Sequence, residues 1–483
     1  MLMQRQDAIP QANRVDHARK RLLALLPILL FLGACGSGSG DFPPDFDDPG
    51  SSNPPQEIPI VDGVVQRVNV IEIDQAYAYR RGGRYASILA GCALIENFDD
   101  GCPLTTLPFI SQETANPTVE DVMARVLVTH DWMGERFEAL LRSRSNELLP
   151  LFGSVTSVVI GSTVRPSFYW IGTGGIQLDP SGLWLTVEEK ASISIEEDFR
   201  APFRSVLQFR NLFTIYANGR SIFGRYSLQD TQERSLADIE QPTMSLLFHE
   251  LAHANDFLPP NATSLLNSEL SSGEALIEIR DQWLSLKLYE RLPLNSTLAR
   301  GLARVRFEGI EPTDEQRQVS GDVVGADIAE DGAVQFYGYF TMQEDFATLF
   351  EAVQMKRLFD ADLHLAFTSQ PENPENFFCE DLLVEWGVLN RLGNPTVQLR
   401  ASDVTQSIYG PDPSLDTFLA NLAGTETPMD IGVNWCTNLD NPLSLASDLK
   451  SRSQTLKFED TVPNDHQVHQ ARHAIVGPLR RNR

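Results

Sequence analysis

The sequence predicts an α+β fold: a small β-sheet over a central helix, followed by a helical second half. Three observations predict it. Val155 to Ile160, Pro166 to Ile171 and Ile176 to Val187 are β-branched and aromatic runs divided by Gly and Pro, the signature of short strands. Leu246 to Phe257 is an apolar run free of both residues, with Leu247, Leu251 and Ala254 across the helical wheel from His249, His253 and Asp256. Beyond about residue 265 the apolar residues recur at helical spacing.

At the N-terminus, Arg19-Lys20-Arg21 precedes an apolar run from Leu22 to Leu32. That run is too short to span a bilayer as a mature helix, so residues 1–34 read as a signal peptide. The 13 residues ahead of Arg14 exceed what such a signal needs, and Val15 is the expected start. Leu32-Gly33-Ala34-Cys35 resembles the lipobox of bacterial lipoproteins, which implies cleavage before Cys35 and its acylation. Gly36, rather than Asp, follows the Cys; by resemblance to Gram-negative sorting this implies the outer membrane. Residues 35–60 are rich in Gly, Ser, Pro and Asp and cannot bury a core, so they predict a tether reaching about 70 Å if extended.

Residues 61–449 form the predicted globular domain, with an N-terminal elaboration. Val64 to Ile73 alternates like a strand, and Thr118-Val119-Glu120-Asp121 caps a helix expected to run to about Arg144. His130 and Asp131 fall inside that helix and read as structural. Helices are expected over about 265–292, 344–366 and 377–392. Four further Cys, at 92, 102, 379 and 436, show no Cys-x-x-Cys spacing, and an oxidising envelope favours disulfides. Proximity pairs Cys92 with Cys102 and Cys379 with Cys436. From 450 to 483 the chain is polar and is expected to fray.

The chemistry centres on His249-Glu250-Leu251-Ala252-His253. Residues four apart share a helix face about 6 Å apart along the axis, so both imidazoles can converge on one zinc ion with bonds of about 2 Å. Zinc lowers the pKa of water toward about 7, and Glu250 stands where a carboxylate can take the proton. A third ligand is needed. A His six residues after His253 is excluded, because that position is Pro259. Asp256 is about 10.5 Å along the axis from His249, too far to share its ion, and suits orienting an imidazole from outside the ligand set. Glu344 is a better donor, near the start of a helix whose core stripe is Phe346, Leu349, Phe350 and Val353, with small Ala347 one turn on.

The pair of segments, His-Glu-x-x-His-x-x-Asp and Tyr337 followed seven residues later by Glu-x-x-Ala-x-x-Phe, resembles the gluzincin metallopeptidases, among them the anthrax lethal factor catalytic domain. The resemblance implies a zincin-like fold, His249, His253 and Glu344 as zinc ligands, Glu250 as general base, and Tyr337 as the group that stabilises the oxyanion or donates a proton. It covers residues 249–257 and 337–350 only, and 91 positions separate His253 from Glu344. A rival third ligand is Glu274, 21 residues after His253, in Glu274-Ala275-Leu276-Ile277-Glu278, which resembles the Glu-x-x-x-Asp of thermolysin-like enzymes. In zincin folds an edge strand lines the cleft and pairs with an extended peptide; Ile176-Gln177-Leu178 or Leu183-Trp184-Leu185 could be that edge, although core strand is the favoured reading of each.

The net charge of −26 disfavours nucleic acid and anionic head groups as partners. The expected activity is therefore zinc-dependent endopeptidase action on a peptide or protein in the bacterial envelope, by a chain anchored to the membrane through lipid. Alternatives are a zinc amidase acting on cell-wall material and a non-catalytic zincin-fold binding lipoprotein.

Overall fold

The computed structural model describes residues 60–61, 64–195, 203, 205–223, 231–373 and 377–439. Residues 1–34, Cys35, most of the tether and the tail from 450 lie outside the described residues. Among the described residues no helix is long and apolar enough to cross a membrane.

The architecture is mixed α and β, with helices packed among two five-stranded sheets. Strands β1 (Ile60–Val61) and β2 (Val64–Val65) pair as a small ladder of their own. The first sheet comprises β3 (Tyr77–Ala78), β4 (Val126–Val128), β5 (Val158–Ile160), β6 (Phe168–Trp170) and β7 (Gly175–Leu178), in the order β3-β4-β5-β7-β6. Strands β4, β5 and β7 are parallel, and β3 and β6 run antiparallel at the two edges. A tight turn joins β6 to β7. Gly174 there has φ of 65°, and a Cβ would stand 2.6 Å from the Phe109 ring, so both backbone and space require glycine.

The second sheet comprises β8 (Phe209–Ala217), β9 (Arg220–Ser221), β10 (Asp362–Ser369), β11 (Val384–Leu389) and β12 (Thr427–Pro428), all antiparallel in the order β12-β11-β10-β8-β9. One continuous apolar core, from Leu104 to Leu419 in the chain, joins both sheets to two long helices, Leu236–Phe257 and Met342–Phe359. We call these the His helix and the Glu helix. Every residue from Pro242 to Phe257 and from Gln343 to Met355 is buried. The polar face expected of the His helix is therefore internal as well. Ala252 and Ala347 are fully buried small residues, and Phe248 meets Phe350 edge-on at 6.3 Å between the two helices.

Several elements differ from expectation. The helix capped by Thr118 ends at Met123 and resumes as Asp131–Ser143, because the β-branched run between them is β4, inside the first sheet. His130 is the residue before that second helix, and Asp131 is its first. Ile176–Leu178 belongs to the interior strand β7 and Leu183–Leu185 to no strand; the edge nearest the His helix is β6, whose Tyr169 stacks on Phe257 at 5.7 Å. The helix expected over 265–292 is two, Ser272–Glu278 and Leu284–Arg291, separated where the Trp283 indole N–H donates to the Leu276 carbonyl. The Glu helix stops at Phe359, since Asp360 adopts φ of 49°, and the chain enters β10. Residues 384–389, expected as helix, are β11, where Leu365 pairs with Val388. Of Val64 to Ile73, only Val64–Val65 is strand.

Both disulfides pair as proximity suggests, Cys92 with Cys102 and Cys379 with Cys436, across separations of 10 and 57 residues. By loop-closure entropy they stabilise by about 3 and about 4 kcal/mol.

His364 gives the second sheet a pH dependence. Its Nδ1 accepts the Asn390 amide at 3.1 Å, its ring lies 5.3 Å from that of Tyr216, and burial pulls its pKa down to about 4. In the unfolded chain it titrates near 6.5, so between about pH 6.5 and 4 the unfolded state takes up a proton that the folded state refuses. Stability therefore falls as pH drops through this window, by about 3 kcal/mol from this group. Urea unfolding of wild type and His364→Gln at about pH 7 and pH 4 should show the smaller loss in the variant. Equal losses would remove His364 as the cause.

Candidate metal centre

The His helix starts where Ser235 and Asp238 close a capping box: the Asp238 amide donates to Ser235 Oγ at 3.3 Å and the Ser235 amide to Asp238 Oδ2 at 2.8 Å. The Glu helix starts at Thr341, whose Oγ1 accepts the Glu344 amide at 3.1 Å. With both helices fixed in the core, three side chains meet. His249 Nε2 lies 3.2 Å and His253 Nε2 3.4 Å from Glu344 Oε2. One donor atom from each of the three falls within 4.8 Å of the others, the one such group of His, Cys, Asp and Glu among the described residues.

These residues could hold a metal ion. Donors about 2.0–2.2 Å from a tetrahedral ion stand roughly 3.3–3.5 Å from one another, and the two imidazole–carboxylate distances match that edge. Charge points the same way. Among the described residues six carboxylates are buried: Glu240, Glu250, Asp256, Glu344, Asp345 and Glu351. Arg144 pairs with Glu240 and Arg400 with Asp345. The other four lie on these two helices and form no ion pair with Lys or Arg among the described residues. Buried carboxylates answered by imidazole alone are costly, and a dication at the shared donors would relieve them.

The electrostatic strain is visible residue by residue. Burial acts to lower the His249 pKa, yet Glu344 and Glu351 override it and hold the ring up at about 10. Burial alone prevails at His253, pulling it down toward the neutral form that ligates metal. For Glu344 burial raises the carboxyl, but the two imidazoles outweigh it and keep it below its usual range. Burial pushes Glu250 well above the carboxylate range, against the pull of His249.

Glu250 is fully buried; no side chain bonds its oxygens, and the Tyr169 backbone of the edge strand β6 is the one main-chain group that favours its charged form. Tyr337 is half-buried and donates to Glu344 Oε1 at 3.2 Å, so the structure brings it to the group. Glu274 is elsewhere in function: it is exposed and accepts from the Ser271 amide and hydroxyl in the cap of its own helix. Asp256 does not orient an imidazole. Its Oδ1 accepts the Ser285 amide at 2.6 Å, its Oδ2 has no partner, and burial lifts it to about 7.

The imidazole-orienting role falls instead to Glu351, which sequence reasoning missed. Its Oε2 accepts from His249 Nδ1 at 2.9 Å, which turns Nε2 toward Glu344 as the nitrogen that could take an ion, and its Oε1 accepts from the Ser245 hydroxyl. The signal was present, since Glu351 lies seven residues after Glu344, two turns along the same face, and Ser245 one turn before His249.

Loaded with a divalent transition-metal ion and dialysed, Glu344→Ala should lose the ion, Glu351→Gln should bind it roughly 10–100-fold more weakly, and Glu274→Ala should match wild type. Full retention by folded Glu344→Ala, with loss in the Glu274 variant, would reverse this assignment.

Comparison of the chain with protein-family models, curated proteins and solved structures finds no match.

Proposed function

We propose that this chain is a zinc-dependent endopeptidase of the bacterial envelope, of gluzincin type, tethered by lipid at Cys35 and probing peptide or protein substrates. The observation that carries the reading is Glu250. A purely structural zinc site closes its coordination with four protein ligands, whereas three ligands beside a carboxylate that no side chain engages suit a catalytic one. The order of the first sheet supports a zincin-like fold: parallel strands, an antiparallel edge strand against the His helix, and the site at that helix's buried face.

When bound, zinc polarises a scissile carbonyl and acidifies water. The protein's own groups do the rest. Glu250, as carboxylate, takes the proton of the attacking water on one oxygen and passes it to the leaving amine nitrogen. The Tyr337 hydroxyl, already beside Glu344, stabilises the oxygen on which negative charge develops. Glu351 fixes the tautomer of His249 throughout.

Glu250→Gln removes the base while keeping its shape. The variant should retain zinc and hydrolyse an unfolded protein such as dye-labelled casein about 10²–10⁴-fold more slowly than wild type. Zinc-loaded wild type that fails to cleave it, equal to the variant, would favour the non-catalytic binding reading.

A further inference from the structure

We infer that Arg400 is a positioning residue of the metal centre, holding Glu344 and Tyr337 in register with the two imidazoles through its pairing with Asp345; this rests on the metal reading above. Arg400 touches neither the ligands nor Tyr337. It lies on the helix Pro395–Tyr409, and its guanidinium meets Asp345 as a two-pronged fork, Nη1 donating to Oδ1 at 2.8 Å and Nη2 to Oδ2. The side chains are 3% and 5% exposed. Two main-chain carbonyls anchor the guanidinium from behind, that of Leu292 to Nε at 3.1 Å and that of Gly332 to Nη1 at 3.5 Å.

Asp345 lies in the first turn of the Glu helix, where its own amide donates to the Thr341 carbonyl at 3.2 Å. The first turn of a helix lacks the hydrogen bonds that hold its later amides, and Glu344 is the third residue of the Glu helix. Only the Thr341 cap holds its amide from the N-terminal side. A fork on the next residue fixes the turn in both position and rotation, as a single ammonium contact would not. The same carboxylate also supports the Tyr337 side of the site. Gly338 rests against it so closely that a methyl there would stand 3.2 Å from Asp345 Oδ1. The segment Phe336–Tyr339 and the start of the Glu helix thus share one anchor. Ligand atoms tolerate errors of only about 0.5 Å, so loosening the anchor should disturb coordination before it disturbs the fold.

The test uses two variants of the full chain. Arg400→Met/Asp345→Leu replaces the buried pair with apolar side chains, a change that leaves stability near wild type more readily than removing one partner. Arg400→Lys keeps the charge and loses the fork. Melting temperature, cobalt(II) affinity, the visible spectrum of the cobalt-loaded protein and casein hydrolysis are measured for each. The double variant is expected to melt near wild type, bind cobalt about tenfold more weakly, show altered cobalt bands and lose about tenfold in kcat with KM little changed. Arg400→Lys should fall between it and wild type. A folded double variant with wild-type cobalt affinity, spectrum and kcat overturns the inference; if the double variant does not fold, an unaltered cobalt spectrum in Arg400→Lys does so. Wild type that binds no cobalt overturns the metal reading and this inference together.

Discussion

Burying a carboxylate without a cation costs several kcal/mol, and most proteins avoid it or pair the group with Arg. Here Glu240 and Asp345 follow that rule, through Arg144 and Arg400, while Glu250, Asp256, Glu344 and Glu351 do not. The four exceptions lie within the two helices that pack against each other at the centre of the core. Two of them bracket His249, with Glu351 on Nδ1 and Glu344 beside Nε2. Arg answers a buried acid elsewhere and does not here, where His249, His253 and Glu344 could hold a different positive charge. The surrounding structure is best understood as what makes that burial tolerable.

Tolerating it requires stiffness. Both helices are surrounded on every side, so neither can relieve its charges by rotating them into water. Small side chains, Ala252 and Ala347, leave room for the imidazoles and Glu344 to approach, and Phe248 against Phe350 fills the adjoining layer. On the first sheet, Tyr169 of the edge strand stacks on Phe257 at the end of the His helix. On the second, the Glu helix runs directly into β10. The donor group therefore draws on one element from each half of the fold.

The features legible in the sequence were those carried by short spacings. His249 and His253 share a face because they are four apart, and the pairing of Cys92 with Cys102 follows from their closeness. Tyr337 and Glu344 were marked by a pattern within one segment. The edge strand was misplaced because β6 and β7 look alike in composition, and only the sheet order separates an edge from an interior strand. The second sheet stayed hidden because β8 and β10 pair across roughly 150 residues, as between Leu212 and Ala366, and no local period records such a partner. Around β11, Leu382, Trp386 and Leu389 stand at helical spacing while Val384, Trp386 and Val388 alternate as in a strand, and pairing with β10 decides between them. Asp256 was assigned to an imidazole on helical proximity, whereas the carboxylate that reaches His249 is 102 residues away.

The two imidazoles are held in different ways, and the difference bears on how the centre works. His249 is fixed through Nδ1 by Glu351, itself tied to Ser245 on the His helix, so its orientation is set from both helices. His253 has no hydrogen-bond partner on either nitrogen, and its Nε2 stands 3.4 Å from Glu344 Oε2. Any movement between the two helices would thus be transmitted first through Glu344 and Glu351, which travel together on one rigid rod. A metal bound to all three donors ties that rod to the His helix, and its binding energy adds to the cohesion of the whole core, by about 4 kcal/mol when the ion is present at a thousand times its dissociation constant. Metal affinity and the packing of the two halves are then one quantity seen from two sides. The helix–helix interface that buries Glu344 and Glu351 around His249 is also the one that an ion on these donors would hold together.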